Sequence, residues 1–277
     1  VSATLRVAAA QATSVPGDVD ANVATAVSLV ASAAGRGARV VVLPELFLTG
    51  YAPESWSLET TLTPSDLRLA PLREVARERD VVVVAGAAVR RGSGDDPADP
   101  VTLSLLVVDP AGDVTAPYDK QHLFDSERKF FTPGEHGASV VVDGWELGLG
   151  ICYDGCFPEH AAAAARDGAR AYLCPSAYFV GSDHRRDLYY AARALDNGIY
   201  VVFSGLVGRC GGFEFSGGSA VYDPEGRPVA RTADADPAVV VADLHAAEVA
   251  RVQEMNPIER DRITSLGTRN RLDLGAR

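Results

Sequence analysis

The sequence is poor in several things, and each shortage removes a class of explanation. Four cysteines, Cys152, Cys156, Cys174 and Cys210, in 277 residues are too few to suggest a disulfide framework. No apolar run approaches the roughly 18 residues needed to span a bilayer, so no membrane partner is expected. Positive charge is scarce. Lys and Arg number 26 against 37 Asp and Glu, a formal net charge of −11, which speaks against nucleic acid as a partner because phosphate binding needs a clustered basic face. Glycine (26) and proline (16) are too sparse for a fibrous or low-complexity chain, and no repeat of fixed period is found. The opening VSATLRVAAAQ is interrupted by Arg6 and Gln11 and makes a poor export signal. Reduced thiols in a cytoplasm are therefore the expectation.

What the sequence does have is apolar residues, 47% of the total, enough for a sizeable core. They fall into β-rich runs that alternate with helix-like segments. Leu5–Ala10, Val40–Leu43, Val81–Ala88, Glu146–Ile151, Ala171–Cys174 and Tyr200–Gly205 read as strands. The near-continuous apolar VVVVAGAAV suggests a sheet covered on both faces. Asp20–Arg36, Pro158–Asp167 and Arg185–Asn197 read as helices, as does Pro64–Arg79 with Thr63 as N-cap. DPAGD and DPEGR mark turns between the strand pairs Val101–Val108/Val114–Tyr118 and SAVY/PVA, and Ala238–Asp243 is a further strand. RRGSGDDPADP (90–100) reads as a solvated loop. One α/β unit over residues 1–255 is expected, followed by a tail over 256–277 that lies on the surface or against a partner.

Three segments place reactive side chains at strand ends, where α/β proteins build their sites. In VVVLPELFLTGY, Glu45 follows a buried strand directly. A glutamate there either caps the next segment or needs a cationic partner. In APYDKQHLFDSERKFFTPG, Lys120 follows the strand ending at Tyr118. Taken alone, it reads as an ordinary strand-end charge. In LGLGICYDGCFPEH, Cys152 sits where a strand breaks before the helix at Pro158. A thiol at such an elbow either fills the core or is poised for attack beside backbone N–H groups. Cys152, Cys156 and His160 recur every four residues, but Gly155 and Pro158 interrupt a continuous helix through them and no fourth ligand follows, so no metal is expected. None of the five histidines has the context of a Cys–His protease.

Together, LPELFLTGY, YDKQHLF and GLGICYDGCFPE resemble the nitrilase, or carbon–nitrogen hydrolase, superfamily. ERKFFTPG resembles the family's segment with a second glutamate, and ARALDNGIYVV and GGSAVYDPEGRPVA extend the likeness from about residue 4 to residue 245. The resemblance implies a four-layer αββα sandwich, a homodimer or higher homo-oligomer, and no cofactor. It implies Cys152 as nucleophile, Glu45 as general base, Lys120 as oxyanion stabiliser and Glu127 as a second acidic member. The roles suit the chemistry. A thiol with an ordinary pKa near 8.5 needs a neighbouring base or cation at neutral pH, and Lys120 would stabilise the thiolate and then the oxyanion, with the Tyr153 N–H as second donor.

The ICYD segment resembles the amidase and carbamoylase branches rather than true nitrilases, so the expected reaction is hydrolysis of a small amide through a Cys thioester. Hydrolysis of a ureido compound, as by a carbamoylputrescine-type amidase, is the alternative, and a non-catalytic family member or an ammonia-supplying partner of a synthetase are further ones. Gly155 and Cys156 stand where related sequences carry an arginine, so short aliphatic primary amides are expected to react faster than N-carbamoyl amino acids. Tyr51 and Tyr178 either line the pocket or cover the sheet edge. Asp183 and His184 are expected to receive a substrate amine, with Arg185 or Arg186 as an alternative carboxylate clamp. Cys156 is expected to pack the helix start, and the alanine run 161–165 to suit a subunit interface.

Overall fold

A computed structural model describes residues 2–92, 99–233, 235–263 and 265–275. Two six-stranded sheets form its centre. The first runs β14-β1-β2-β3-β4-β5, built from β1 (Thr4–Gln11), β2 (Val40–Val42), β3 (Val82–Arg90), β4 (Val101–Val108), β5 (Val114–Asp119) and β14 (Ala238–His245). The second runs β13-β12-β9-β8-β7-β6, with β6 (Ser139–Val142), β7 (Trp145–Leu149), β8 (Ala171–Ser176), β9 (Tyr200–Gly205), β12 (Ala220–Tyr222) and β13 (Pro228–Arg231). A separate hairpin joins β10 (Val207–Cys210) to β11 (Phe213–Ser216).

The sheets pack face to face through β1 and β9 and through β12 and β14. Helices α1 (Val19–Gly35) and α2 (Ala70–Arg79) cover the first sheet, while α3 (Pro158–Arg166) and α4 (Asp183–Asn197) cover the second. The result is the expected αββα sandwich. β3 is buried almost end to end, because a strand sandwiched between a helix layer and a second sheet has no face left for water. Both predicted turns form, each around one aspartate. Asp109 Oδ1 accepts from the N–H groups of Ala111 and Asp113, and Asp223 Oδ1 from those of Glu225 and Arg227.

Several elements differ from expectation. α2 starts at Ala70 rather than at Pro64. Asp66 diverts the chain into a 3-10 turn at Leu67–Leu69 by accepting from Arg68 N, and the Thr63 hydroxyl pairs with Ser65 instead of capping. Residues 246–255 form a helix, α5 (Ala246–Met255), whose N-cap His245 makes no side-chain capping bond, so no start signal was legible. β6, β10 and β11 are four-residue strands, too short for a clear period-2 pattern. Part of the alanine run packs within the chain, while Ala163 is exposed. Ala161 and Ala162 are buried, and a Cβ on Gly148 of β7 would lie 2.6 Å from the Ala164 methyl, so small residues on both sides permit the close approach of helix and sheet. Most of the loop predicted at 90–100 lies outside the described residues. Past the single turn α6 (Ile258–Asp261), residues 262–263 and 265–275 are exposed and lack regular structure.

The arrangement that matters for chemistry is at the strand ends. Glu45 follows β2 and Lys120 follows β5 of one sheet, while Cys152 follows β7 and Ala177 follows β8 of the other.

Candidate active site

Glu45 is carried on a turn that lies directly against β3. Leu46 adopts a left-handed backbone, φ 48°, and a Cβ on Gly86 of β3 would stand 2.5 Å from Leu46 N and 2.7 Å from Glu45 Cα. Only glycine leaves room there. Lys120 is anchored at the end of β5 by its backbone N–H, which donates to Leu103 O. Glu127 lies in a 3-10 turn, Asp125–Lys129, and its Oε2 accepts from Phe124 N at 2.8 Å.

The three side chains meet with no exposure to solvent. Lys120 Nζ donates to Glu45 Oε1 at 2.5 Å and to Glu127 Oε1 and Oε2 at 2.9 and 2.8 Å. Tyr51 adds a hydroxyl donor to Glu127 Oε1 at 2.6 Å. Cys152 opens a 3-10 turn, Cys152–Cys156, with a left-handed φ of 44°, a conformation that a non-glycine residue holds only where its surroundings enforce it. Tyr190 supplies part of that enforcement by donating its hydroxyl hydrogen to Cys152 O at 3.0 Å. The thiol reaches the Glu45 carboxyl, and the Ala177 backbone N–H is directed at the sulfur.

Electrostatics divide the roles. Burial drives the Glu45 carboxyl upward, Lys120 opposes it and Glu127 reinforces it, leaving it pushed up to about 7. Among the described residues its Oε2 receives no hydrogen bond from any N–H or O–H donor. Burial would strip the proton from Lys120, but the charges of Glu127 and Glu45 outweigh that and hold it as ammonium, its pKa well above the ordinary lysine value. Burial and the Glu45 charge push the Cys152 thiol well above its ordinary range, against the pull of Lys120 and the Ala177 N–H. This corrects the expectation of a resting thiolate. The sulfur is a protonated thiol beside a carboxyl that titrates near neutrality.

A cavity of about 160 Å³ opens beside Cys152, lined by Tyr51, Glu127, Tyr153, Cys156 and Tyr178 among others. Tyr51, Tyr153 and Tyr178 thus line this cavity. Cys156 does too, rather than only packing the helix start, with its Sγ 3.4 Å from the Tyr178 hydroxyl. Asp183 and His184 are not in the wall. Because α4 begins at Asp183, the side chains turned to the cavity are Ser182, Arg185 and Tyr189, spaced three and four residues apart on one helical face. Asp183 instead accepts from Arg186 Nη1 at 3.2 Å. Arg186 is no substrate clamp. It is buried and donates to Gly217 O at 2.8 Å and Ser216 Oγ at 3.0 Å.

Four contributors named here were not singled out from the sequence: Gly86, Asp154, Ala177 and Tyr190. Asp154 is fully buried and accepts from Ile151 N, Tyr118 Oη, His122 N and His122 Nδ1 at 2.6 to 3.0 Å. It thereby ties the Cys152 elbow to the segment just after Lys120. An acidic residue inside the otherwise apolar ICYDGC was the available signal. His160 Nε2 bonds the Tyr118 hydroxyl at 2.8 Å and Nδ1 the Tyr172 hydroxyl at 2.9 Å, so both ring nitrogens are engaged within the protein.

The chain is similar to known proteins along most of its length. The sequence profile of the carbon–nitrogen hydrolase family matches residues 6–254. A nitrilase from Pyrococcus abyssi is 34% identical over 249 residues, covering 88% of this chain and 91% of its own. An (R)-stereoselective amidase from a Pseudomonas species is 33% identical over 76% of this chain and 74% of its own. The solved amidase from Nesterenkonia sp. AN1, captured as a double mutant with acrylamide, superposes with a TM-score of 0.80 at 30% identity, covering 94% of this chain and 95% of its own. Another of its structures carries the acetamide moiety of fluoroacetamide on the active-site cysteine, with a TM-score of 0.79 at 30% identity over 93% of both chains. The chain belongs to the carbon–nitrogen hydrolase family, the nitrilase superfamily, and is an amidase-like hydrolase acting on amides.

Proposed function

We propose that the chain hydrolyses neutral primary amides through a thioester on Cys152, releasing ammonia and then a carboxylic acid. The observation that carries this reading is the convergence of the Cys152 thiol and the Lys120 ammonium on the buried Glu45 carboxyl, which burial pushes up to about 7 and whose Oε2 has no N–H or O–H donor among the described residues. A group with that affinity both accepts and returns a proton near neutral pH.

In the first half-reaction the thiol proton passes to Glu45 while sulfur bonds to the carbonyl carbon. The tetrahedral oxyanion forms beside the Lys120 ammonium and the Tyr153 N–H, in a buried setting where such donors are worth about 3 kcal/mol of barrier each. Collapse breaks the C–N bond, and Glu45 returns the proton so that ammonia leaves. In the second half-reaction Glu45 takes a proton from water, the hydroxide oxygen bonds to the thioester carbon, and the sulfur departs and recovers its proton from Glu45. Glu127 and Tyr51 hold the ammonium in place throughout.

Intact-mass spectrometry tests this. Rapid quenching after mixing with an amide should show an acyl adduct on Cys152 that forms more slowly in Glu45→Gln, which lacks the base for the first half-reaction, and is absent in Cys152→Ala. Ammonia release that survives in Cys152→Ala would end the proposal.

A further inference from the structure

The wall of the cavity carries more information than the reactive centre. Among its described residues are six aromatic rings, Tyr51, Phe124, Tyr153, Tyr178, Phe179 and Tyr189. Four of them are held in advance by packing against one another, and Tyr178 packs edge to face on Tyr190 at 6.0 Å. Phe124 and Tyr153 meet edge to face at 5.2 Å, and Tyr51 and Phe179 at 6.2 Å. The Tyr178 hydroxyl and the Cys156 thiol form a neutral polar spot, since burial pushes both groups up and keeps them protonated.

Charge is confined to two places. Glu127 is already committed to Lys120 and Tyr51. Arg185 is exposed at the mouth, bonded to Ser182 Oγ at 3.2 Å. A carboxylate carried to the inner wall would therefore lie beside Glu127 with the nearest ammonium, Lys120, already holding two carboxylates, a costly burial. A neutral ring meets no such penalty and finds edges and faces to pack against. Size agrees, because an apolar protein cavity of about 150 Å³ takes up one benzene and this one measures about 160 Å³.

We propose that the acyl group this site selects is a single uncharged aromatic ring, attached to the amide carbonyl directly or through one carbon. The proposal rests on the amide-hydrolase reading above and replaces the short aliphatic chain with a ring of the benzamide or phenylacetamide class. Burying one ring should favour such a substrate over acetamide by about tenfold to a hundredfold in kcat/KM.

The test compares acetamide, butyramide, phenylacetamide, 2-naphthylacetamide and the monoamide of butanedioic acid on the unaltered protein, read as ammonia release. Phenylacetamide should exceed acetamide and butyramide at least tenfold, and should exceed both the naphthyl and the anionic amides by a similar margin. Aliphatic amides equal to phenylacetamide, a naphthyl amide equal to it, or an anionic amide ahead of it would each overturn the inference. Protection of Cys152 from iodoacetamide separates this failure from failure of the hydrolase reading. If no amide is turned over, that reading falls, yet phenylacetamide protecting at a tenth of the acetamide concentration still supports the ring site, and equal protection refutes it.

Discussion

Glu45 and Asp154 are both carboxylates without solvent exposure, and they sit in adjoining networks around the same elbow, yet their proton affinities move in opposite directions. Burial alone would raise both. Asp154 is nevertheless held below the ordinary carboxylate range, because the His122 hydrogen bond, the neighbouring His160 and the Tyr118 hydroxyl outweigh desolvation. Among the described residues Glu45 is met by the Lys120 ammonium, which is shared with Glu127, and by the weak donor of the Cys152 thiol. It ends up near 7. The lesson is that burial does not decide what a carboxylate does; the number of donors supplied to it does. Fully supplied, it becomes a strut. Left short, it becomes a group that seeks a proton.

The comparison can be broken most decisively by Glu45→Gln. Turnover should fall about 10²- to 10⁴-fold, while urea unfolding should shift by no more than about 1 kcal/mol, since the amide oxygen still accepts from Lys120. In the unaltered protein, kcat/KM should rise with pH through about 7, because the base works only when ionised, and the residual activity of the variant should lack that limb. An unchanged limb would remove Glu45 from the proton path.

Gly86→Ala should lower turnover about a hundredfold, because the added methyl collides with the backbone at Glu45 and Leu46 and a displacement of about 1 Å suffices for such a loss. Full activity would mean the Glu45 turn tolerates movement.

Asp154→Asn should reverse the pattern of Glu45→Gln, with the larger loss in stability, about 3 kcal/mol, from disturbed hydrogen bonds to a buried charge. The sign with pH is informative. A carboxyl held below its ordinary value contributes stability that is complete above about pH 4 and is lost as pH falls through the lowered value. Urea midpoints of the unaltered and substituted proteins should therefore converge in acid. The smallest effect is expected for Tyr51→Phe, which removes the hydroxyl donor to Glu127 Oε1. Stability should drop by about 1 to 2 kcal/mol and kcat/KM by less than Glu45→Gln costs. A loss equal to that of Glu45→Gln would make Tyr51 part of the proton path.

Only part of the site was legible residue by residue. Glu45 directly after a buried strand needs a partner that its neighbours in sequence cannot supply, whereas Lys120 alone reads as an ordinary strand-end charge and Cys152 as either core filler or nucleophile. The order of the motifs, through their resemblance to the nitrilase superfamily, is what joined them with Glu127. Asp183 and His184 were misplaced because helical phase sets which residues face a cavity, and the onset of α4 moved that face to Ser182, Arg185 and Tyr189. Cys156 was assigned to packing because nothing local distinguishes a thiol that fills a core from one that lines a cavity.

Local order, hydrophobic period and turn chemistry determined the layers, since alternating strands and helices of this polarity bury their faces in few ways. They also marked which side chains were out of place. Only the tertiary structure decided that those side chains converge, that Gly86 yields the room for one of them, and that Asp154 is satisfied while Glu45 is not. Hydrogen-bond supply to a buried group comes from segments dozens of residues away (Lys120 lies 75 positions beyond Glu45), and such distances close only when the sheets stack.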